Sequence, residues 1–412
     1  MEVSIISREI IKPSSSNPNH LRTYNFSLMD QLNLEKYFCF LLFYLGPCKT
    51  SDDHLKKTLS KVLTHYYPFA GRVHDNFLVD CDDTGATFIE AKVAGDMSGV
   101  LKQPTNELLE QLVPQEQLSS TVILAVQVNH FNCGGVAISV GFRHVVADAV
   151  AAANFIKSWA TVSSGGNPTE NVVFDFTSIF PPQDLSGLSI SVTRSSAGIS
   201  IKRFVFDCSK IAALREEIGN QTTRFEVLGG LVWGAVMAAK RATNEYAPHA
   251  LSIVSVPINL RKRITDPPIA EQCIGNIITP AVAICPMKEI IDYKGLAGKL
   301  RESISSMNGE SVKKTCTDGN RLLRGRENKK SPQMSVLMLS SLCRLPFYET
   351  DFGWEKPVWT AVVRPEYDDS AVFFDTRDGK GIELWMQLPQ QEMAKFEQDP
   401  TILAYASSNP SV

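Results

Sequence analysis

His144 is the residue on which the chemistry of this sequence turns. It closes an apolar, strand-like run over 136–142, and Asp148 follows four residues later, ahead of an alanine-rich helical stretch. A neutral imidazole can take a proton from a hydroxyl as that hydroxyl attacks a carbonyl, provided its second ring nitrogen donates to an acceptor that fixes the tautomer. Asp148 could be that acceptor. It could equally turn away and lock the loop by pairing with an arginine, and the spacing alone does not separate the two. The plainer reading of any histidine in apolar surroundings is a packed ring, and the other six (His20, His54, His65, His74, His130, His249) are assigned to it. His144 differs in standing at a strand-to-helix junction, where side chains face clefts, and Gly141 with the small residues after it allows close approach of a ligand.

Other chemistries fit less well. His144 and Asp148 offer two metal ligands, but no HExxH or paired-cysteine motif supplies a third, so no metal is expected. No GxSxG marks a serine nucleophile. Asp351-Phe352-Gly353 invites comparison with a kinase, yet there is neither a glycine-rich phosphate loop nor a His-Arg-Asp catalytic loop.

The totals narrow the class. At 412 residues two domains are expected, divided as 1–162 and 201–412 by a Ser-, Gly-, Pro- and Asn-rich linker over 163–200. Net charge is 41 − 44 = −3, which points to neither nucleic acid nor an anionic membrane as partner. The longest apolar run, 38–45, is far short of the ~20 residues a membrane helix needs. The N-terminus lacks a basic leader, and nine dispersed cysteines fit reduced thiols, so a cytoplasmic location is expected.

The elements that must position His144 follow from periodicity. Strands are expected at 5–11, 37–44, 121–128, 136–142, 201–206, 253–258 and 277–284, with a C-terminal hairpin of 371–374 and 382–388. Residues 77–79 and 87–93 read as two strands joined by the turn at 82–85. Helices are expected after Ser51, over 148–159, 209–218, 225–240 and 293–307, and from 391. The basic stretch 309–333 reads as a solvated loop. Strands and helices mix without strict βαβ alternation, which makes the fold class α+β, with sheets covered by helices.

Two signatures together are specific. His144-Val145-Val146-Ala147-Asp148 and Asp351-Phe352-Gly353-Trp354 resemble, in order and separation, the HxxxD and DFGWG motifs of the plant BAHD acyl-CoA-dependent acyltransferases. Tyr66-Tyr67-Pro68-Phe69-Ala70-Gly71-Arg72 is similar to the family's YYPLAGR, and Val79-Asp80-Cys81-Asp82-Asp83 to its VDCND stretch. Asn259-Leu260-Arg261, Gly275-Asn276 and Asp375-Thr376-Arg377 also fall in register. The resemblance spans essentially the whole chain and is nearest to the alkaloid and acylsugar acyltransferase branch.

The resemblance implies two chloramphenicol-acetyltransferase-like domains of mixed sheet covered by helices, a central solvent channel, and a monomer. It implies acyl-CoA, with acetyl-CoA favoured, as co-substrate rather than a resident cofactor, and a small-molecule alcohol as acceptor. His144 would be the general base of a direct transfer in a ternary complex. His144 and Asp148 form the catalytic motif, but Asp148 is expected to act as a structural clamp on Arg261. Thr223, Ser340, Arg261 and the Asp351, Gly353, Trp354 loop are carried over as residues that shape the CoA side. An acylsugar O-acyltransferase using short branched acyl-CoA, and a catalytically weak binding relative, are the alternative readings. Three positions depart from the family pattern: Glu355 replaces the last glycine of DFGWG, Leu342 stands where many members carry an oxyanion-holding tryptophan, and Arg143 precedes the histidine where serine is common.

Overall fold

The computed structural model describes residues 1–33, 37–48, 51–75, 77–115, 121–169, 172–185, 198–219, 221–243, 249–265, 268–270, 272–307, 309, 312, 334–363 and 368–412. The basic stretch 309–333 lies almost wholly outside these residues, as does 186–197 of the expected linker.

Alternating and continuous apolar runs build two large mixed sheets, and the fold class is α+β as expected. The first sheet has six strands in the order Glu2–Ile11, Ala86–Ala94, Leu124–Phe131, Val136–Arg143, Tyr37–Tyr44, Trp359–Val363. The second has seven: Ile278–Pro286, Leu251–Asn259, Met334–Ser341, Ser370–Asp375, Ile382–Pro389, Ile199–Phe206, Ser407–Ser408. Both contain parallel as well as antiparallel pairs.

The Tyr37–Tyr44 and Val136–Arg143 strands are buried along almost their entire length, which explains why they read as continuous apolar runs rather than alternating ones. Helices Asp52–His65 and Ala149–Ser163 lay Leu55, Leu59, Phe155 and Trp159 into the core of the first sheet. Helices Arg224–Thr243, Tyr293–Ser305 and Gln390–Phe396 do the same for the second. Trp359–Val363, from late in the chain, completes the first sheet by pairing with Tyr37–Tyr44. In the other direction, Leu28, Met29 and Leu32 belong to the second core.

The strands expected at 77–79 and 87–93 follow one another across the expected turn, but they enter different sheets. Leu78–Asp80 pairs with Thr23–Asn25 and Arg72–Val73 in a small three-stranded sheet, while Ala86–Ala94 joins the first large sheet. The connection contains Asp83 and Gly85 at φ 61° and 102°, and the Gly85 N–H donates to the Ala70 carbonyl, which turns the chain from one sheet into the other. Strands Met334–Ser341 and Trp359–Val363 carried no turn-bounded pattern that the sequence reading used.

Among the described residues no helix is long and apolar enough to cross a membrane.

Candidate active site

The Val136–Arg143 strand ends one residue before His144, where the Arg143 N–H makes a last bond to the Ile123 carbonyl at 2.8 Å. A turn over 143–147 follows, closed by Val146 N–H to Arg143 O (3.2 Å) and Ala147 N–H to His144 O (3.3 Å). The imidazole is partly exposed and meets the edge of Phe38, ring centroids 4.9 Å apart at 67°. Gly141 is not an opening for a ligand. A Cβ there would lie 2.6 Å from the Tyr37 ring, so the missing side chain makes room for tyrosine packing.

Asp148 caps the Ala149–Ser163 helix, accepting from the Ala151 N–H at 2.9 Å. The same carboxylate receives a two-pronged guanidinium, Arg261 Nη1 to Oδ2 at 2.7 Å and Nη2 to Oδ1 at 3.0 Å, and the Ile277 N–H at 3.1 Å. Four donors fill the roughly four lone-pair sites of a carboxylate. Asp148 is therefore spent on the clamp and not on the imidazole, which decides the alternative that spacing left open. Both side chains are almost fully buried, at 3% and 1% exposure.

Arg261 spends its remaining donors on Cys273 Sγ (Nε, 3.1 Å), the Cys273 carbonyl (3.1 Å) and Asn259 Oδ1 (3.3 Å). This guanidinium is buried in the interior. Burial opposes its charge, but the Asp148 carboxylate outweighs that and raises the Arg261 pKa. Burial pushes the neighbouring Cys273 thiol up to about 11, so it serves as a neutral acceptor.

The segment 273–277 runs alongside the turn. Gly275, at φ 112°, bridges Ala147, and its carbonyl accepts from the Asp148 N–H at 3.4 Å. A side chain there would meet the Tyr24 hydroxyl at 2.9 Å, which with the positive φ requires glycine. Asn276 donates through Nδ2 to the His144 carbonyl (2.7 Å) and to Asp30 Oδ1 (2.9 Å). Asp30 and Asn276 carried no assigned role in the sequence reading. The Ser27-x-x-Asp30 capping box, which the structure contains, was the signal that could have drawn attention to Asp30.

The other expected residues occupy two further places. Asp351 accepts from the N–H groups of Gly353 (2.7 Å) and Trp354 (2.9 Å), holding its own loop. Phe352 is fully buried against Trp159, and Trp354 meets Tyr44 edge-on at 5.5 Å. Phe38 beside His144 and Tyr44 beside Trp354 are six residues apart on one strand, about 20 Å at a strand's rise per residue. The Asp351–Trp354 loop therefore lies well away from the imidazole. Glu355 adopts φ 74°, so the chain keeps a glycine-type backbone without glycine.

Thr223 caps the Arg224–Thr243 helix reciprocally with Glu226, by 3.2 Å and 2.8 Å bonds. Its neighbour Arg224 binds Asp375 at 2.9 Å. Ser340 sits in the Met334–Ser341 strand opposite Val372. Both belong to the second sheet's side of the molecule.

Comparison with known proteins agrees with this build. The profile of the family described as Transferase family matches residues 1–403. Epi-neemfruitin B synthase of Melia azedarach is 45% identical, and a limonoid 1-O-acetyltransferase of Citrus sinensis 44% identical, each with full coverage of both chains. The crystal structure of vinorine synthase superposes with a TM-score of 0.85 at 32% identity, also covering both chains completely. The two-domain, chloramphenicol-acetyltransferase-like architecture is thus shared. The chain belongs to the BAHD acyl-CoA-dependent acyltransferase family and is an acyltransferase.

Proposed function

We propose that this enzyme transfers an acetyl group from acetyl-CoA to a hydroxyl of an oxygenated limonoid-type plant metabolite, with His144 as general base. The observation that carries the acceptor class is the ranking of relatives. Full-length identity is 45% and 44% to epi-neemfruitin B synthase and the limonoid 1-O-acetyltransferase, against 35% and 34% to vinorine synthase and salutaridinol 7-O-acetyltransferase. An apolar acceptor also suits the Phe38 ring that meets the base at 4.9 Å.

In this mechanism the imidazole takes the acceptor's hydroxyl proton as the oxygen attacks the thioester carbonyl. A C–O bond forms and the carbonyl electrons move to oxygen. The tetrahedral intermediate then collapses, the C–S bond breaks, and the imidazolium returns the proton to the CoA thiolate. No covalent acyl-enzyme is involved. The oxyanion requires donors aimed at it. Leu342 offers no side-chain donor, and its N–H is already given to the Phe373 carbonyl at 2.8 Å, so other groups or solvent fill that role.

Thiol release from acetyl-CoA, with product mass measured for limonoid, alkaloid and sugar-ester alcohols, tests the reading. Acetylation of limonoid alcohols is expected, and His144→Ala is expected to slow it by about 10²–10⁴-fold. Turnover persisting in His144→Ala sinks the base assignment, and product only from alkaloid or sugar acceptors sinks the acceptor class.

A further inference from the structure

We propose that Asn276 is a positioning residue for His144, and that Asp30 orients Asn276 for this task. The inference rests on the reading of His144 as the base. Backbone ladder bonds hold the chain as far as Arg143, and beyond that point His144 has left the sheet. The Asn276 side chain takes over there, its Nδ2 holding the His144 carbonyl at 2.7 Å from 132 residues further along the chain.

The amide has no freedom to turn. Its second Nδ2 proton goes to Asp30 Oδ1 at 2.9 Å, and the Asn276 backbone N–H reaches the same oxygen at 2.8 Å. Its Oδ1 faces the Asn33 amide at 3.4 Å. Asp30 is itself immobilised, since its other oxygen accepts from the Ser27 N–H (3.0 Å), the Ser27 hydroxyl (2.7 Å) and the Tyr24 hydroxyl (3.0 Å). Five donors thus converge on one carboxylate, and both Asp30 and Asn276 are 1% exposed. In so dry a setting these bonds are strong and costly to break. Asp148 and Arg261 pin one end of the 144–148 turn; Asn276 pins the other, at the base itself.

A base displaced by even about 1 Å can lose about 10²-fold in rate. The experiment compares full-length wild type with Asn276→Ala, using acetyl-CoA and a limonoid alcohol. Three quantities are read: kcat and KM, the thermal midpoint, and the rate of diethyl pyrocarbonate modification at His144 followed by peptide mass spectrometry. The expected result is a folded variant with kcat down about 10–100-fold, KM for acetyl-CoA little changed, and an altered modification rate at His144.

A folded Asn276→Ala with wild-type kcat and unchanged His144 reactivity overturns the proposal, as does a loss confined to the thermal midpoint. An active His144→Ala overturns the base reading and the Asn276 role with it, whereas an inactive His144→Ala beside a fully active Asn276→Ala overturns the Asn276 role alone. If Asn276→Ala does not fold, Asp30→Asn is measured in its place, with the same loss expected and wild-type kcat overturning the proposal.

Discussion

Asp148 and Arg261, 113 residues apart in sequence, form a buried two-pronged ion pair that joins the turn after His144 to the end of the Leu251–Asn259 strand. Removing one partner of such a pair leaves the other charged and unpaired in a dry interior. Arg261→Leu is expected to cost about 3–5 kcal/mol in urea unfolding, and Asp148→Ala a similar amount. The double variant should lose clearly less than the sum of the two. Additive losses would show that the pair is not coupled.

Glu355 holds a left-handed backbone that costs a residue with a Cβ about 1–2 kcal/mol. Glycine removes that strain but adds freedom to the unfolded chain, worth about 0.4–1 kcal/mol against it. Glu355→Gly is therefore expected to stabilise by about 0.5 kcal/mol, seen as a small rise in the urea midpoint. A fall would mean that the Glu355 side chain makes a contribution beyond the backbone.

Cys273 is buried beneath Arg261, and its thiol, pushed up to about 11 by that burial, stays protonated at neutral pH. Cys133 and Cys208 are exposed. Iodoacetamide at pH 8 should label Cys133 and Cys208 in the native enzyme and reach Cys273 only on unfolding, as read by peptide mass spectrometry. Fast native labelling of Cys273 would contradict a closed clamp.

His130 donates through Nε2 to the Asp52 carboxylate at 2.8 Å, and this hydrogen bond, outweighing partial burial, raises its pKa. The folded state then binds the proton more tightly than the unfolded state. The stabilisation is fully present below the unfolded value near ~6.5 and disappears as pH rises through the folded one. Exposed pairs of this kind contribute under about 1 kcal/mol. Urea unfolding of wild type and Asp52→Asn should differ more at pH 6 than at pH 8.5. An equal difference at both would remove the ion pair from the account.

The sequence by itself determined the strands that flank His144, the helices that cover them, and the two signatures that assign the family. Each of these is written in local spacing. Continuous apolar runs become buried strands, and Ser51 and Asp148 precede helices that they cap. Its reading of Gly141 as room for a ligand failed because the occupant, Tyr37, comes from a neighbouring strand. The turn at 82–85 does join the strands read at 77–79 and 87–93, but which sheet each strand enters was not legible, because their partners lie elsewhere in the chain.

Only the tertiary structure decided what holds the base. Asp148 meets Arg261 across 113 residues, His144 meets Asn276 across 132, and Asp30 meets Asn276 across 246. A buried donor or acceptor must be paired, but sequence spacing does not say with which distant group. That choice is made when the two cores close on each other and bring 28–33, 144–148, 259–261 and 273–277 into one dry network.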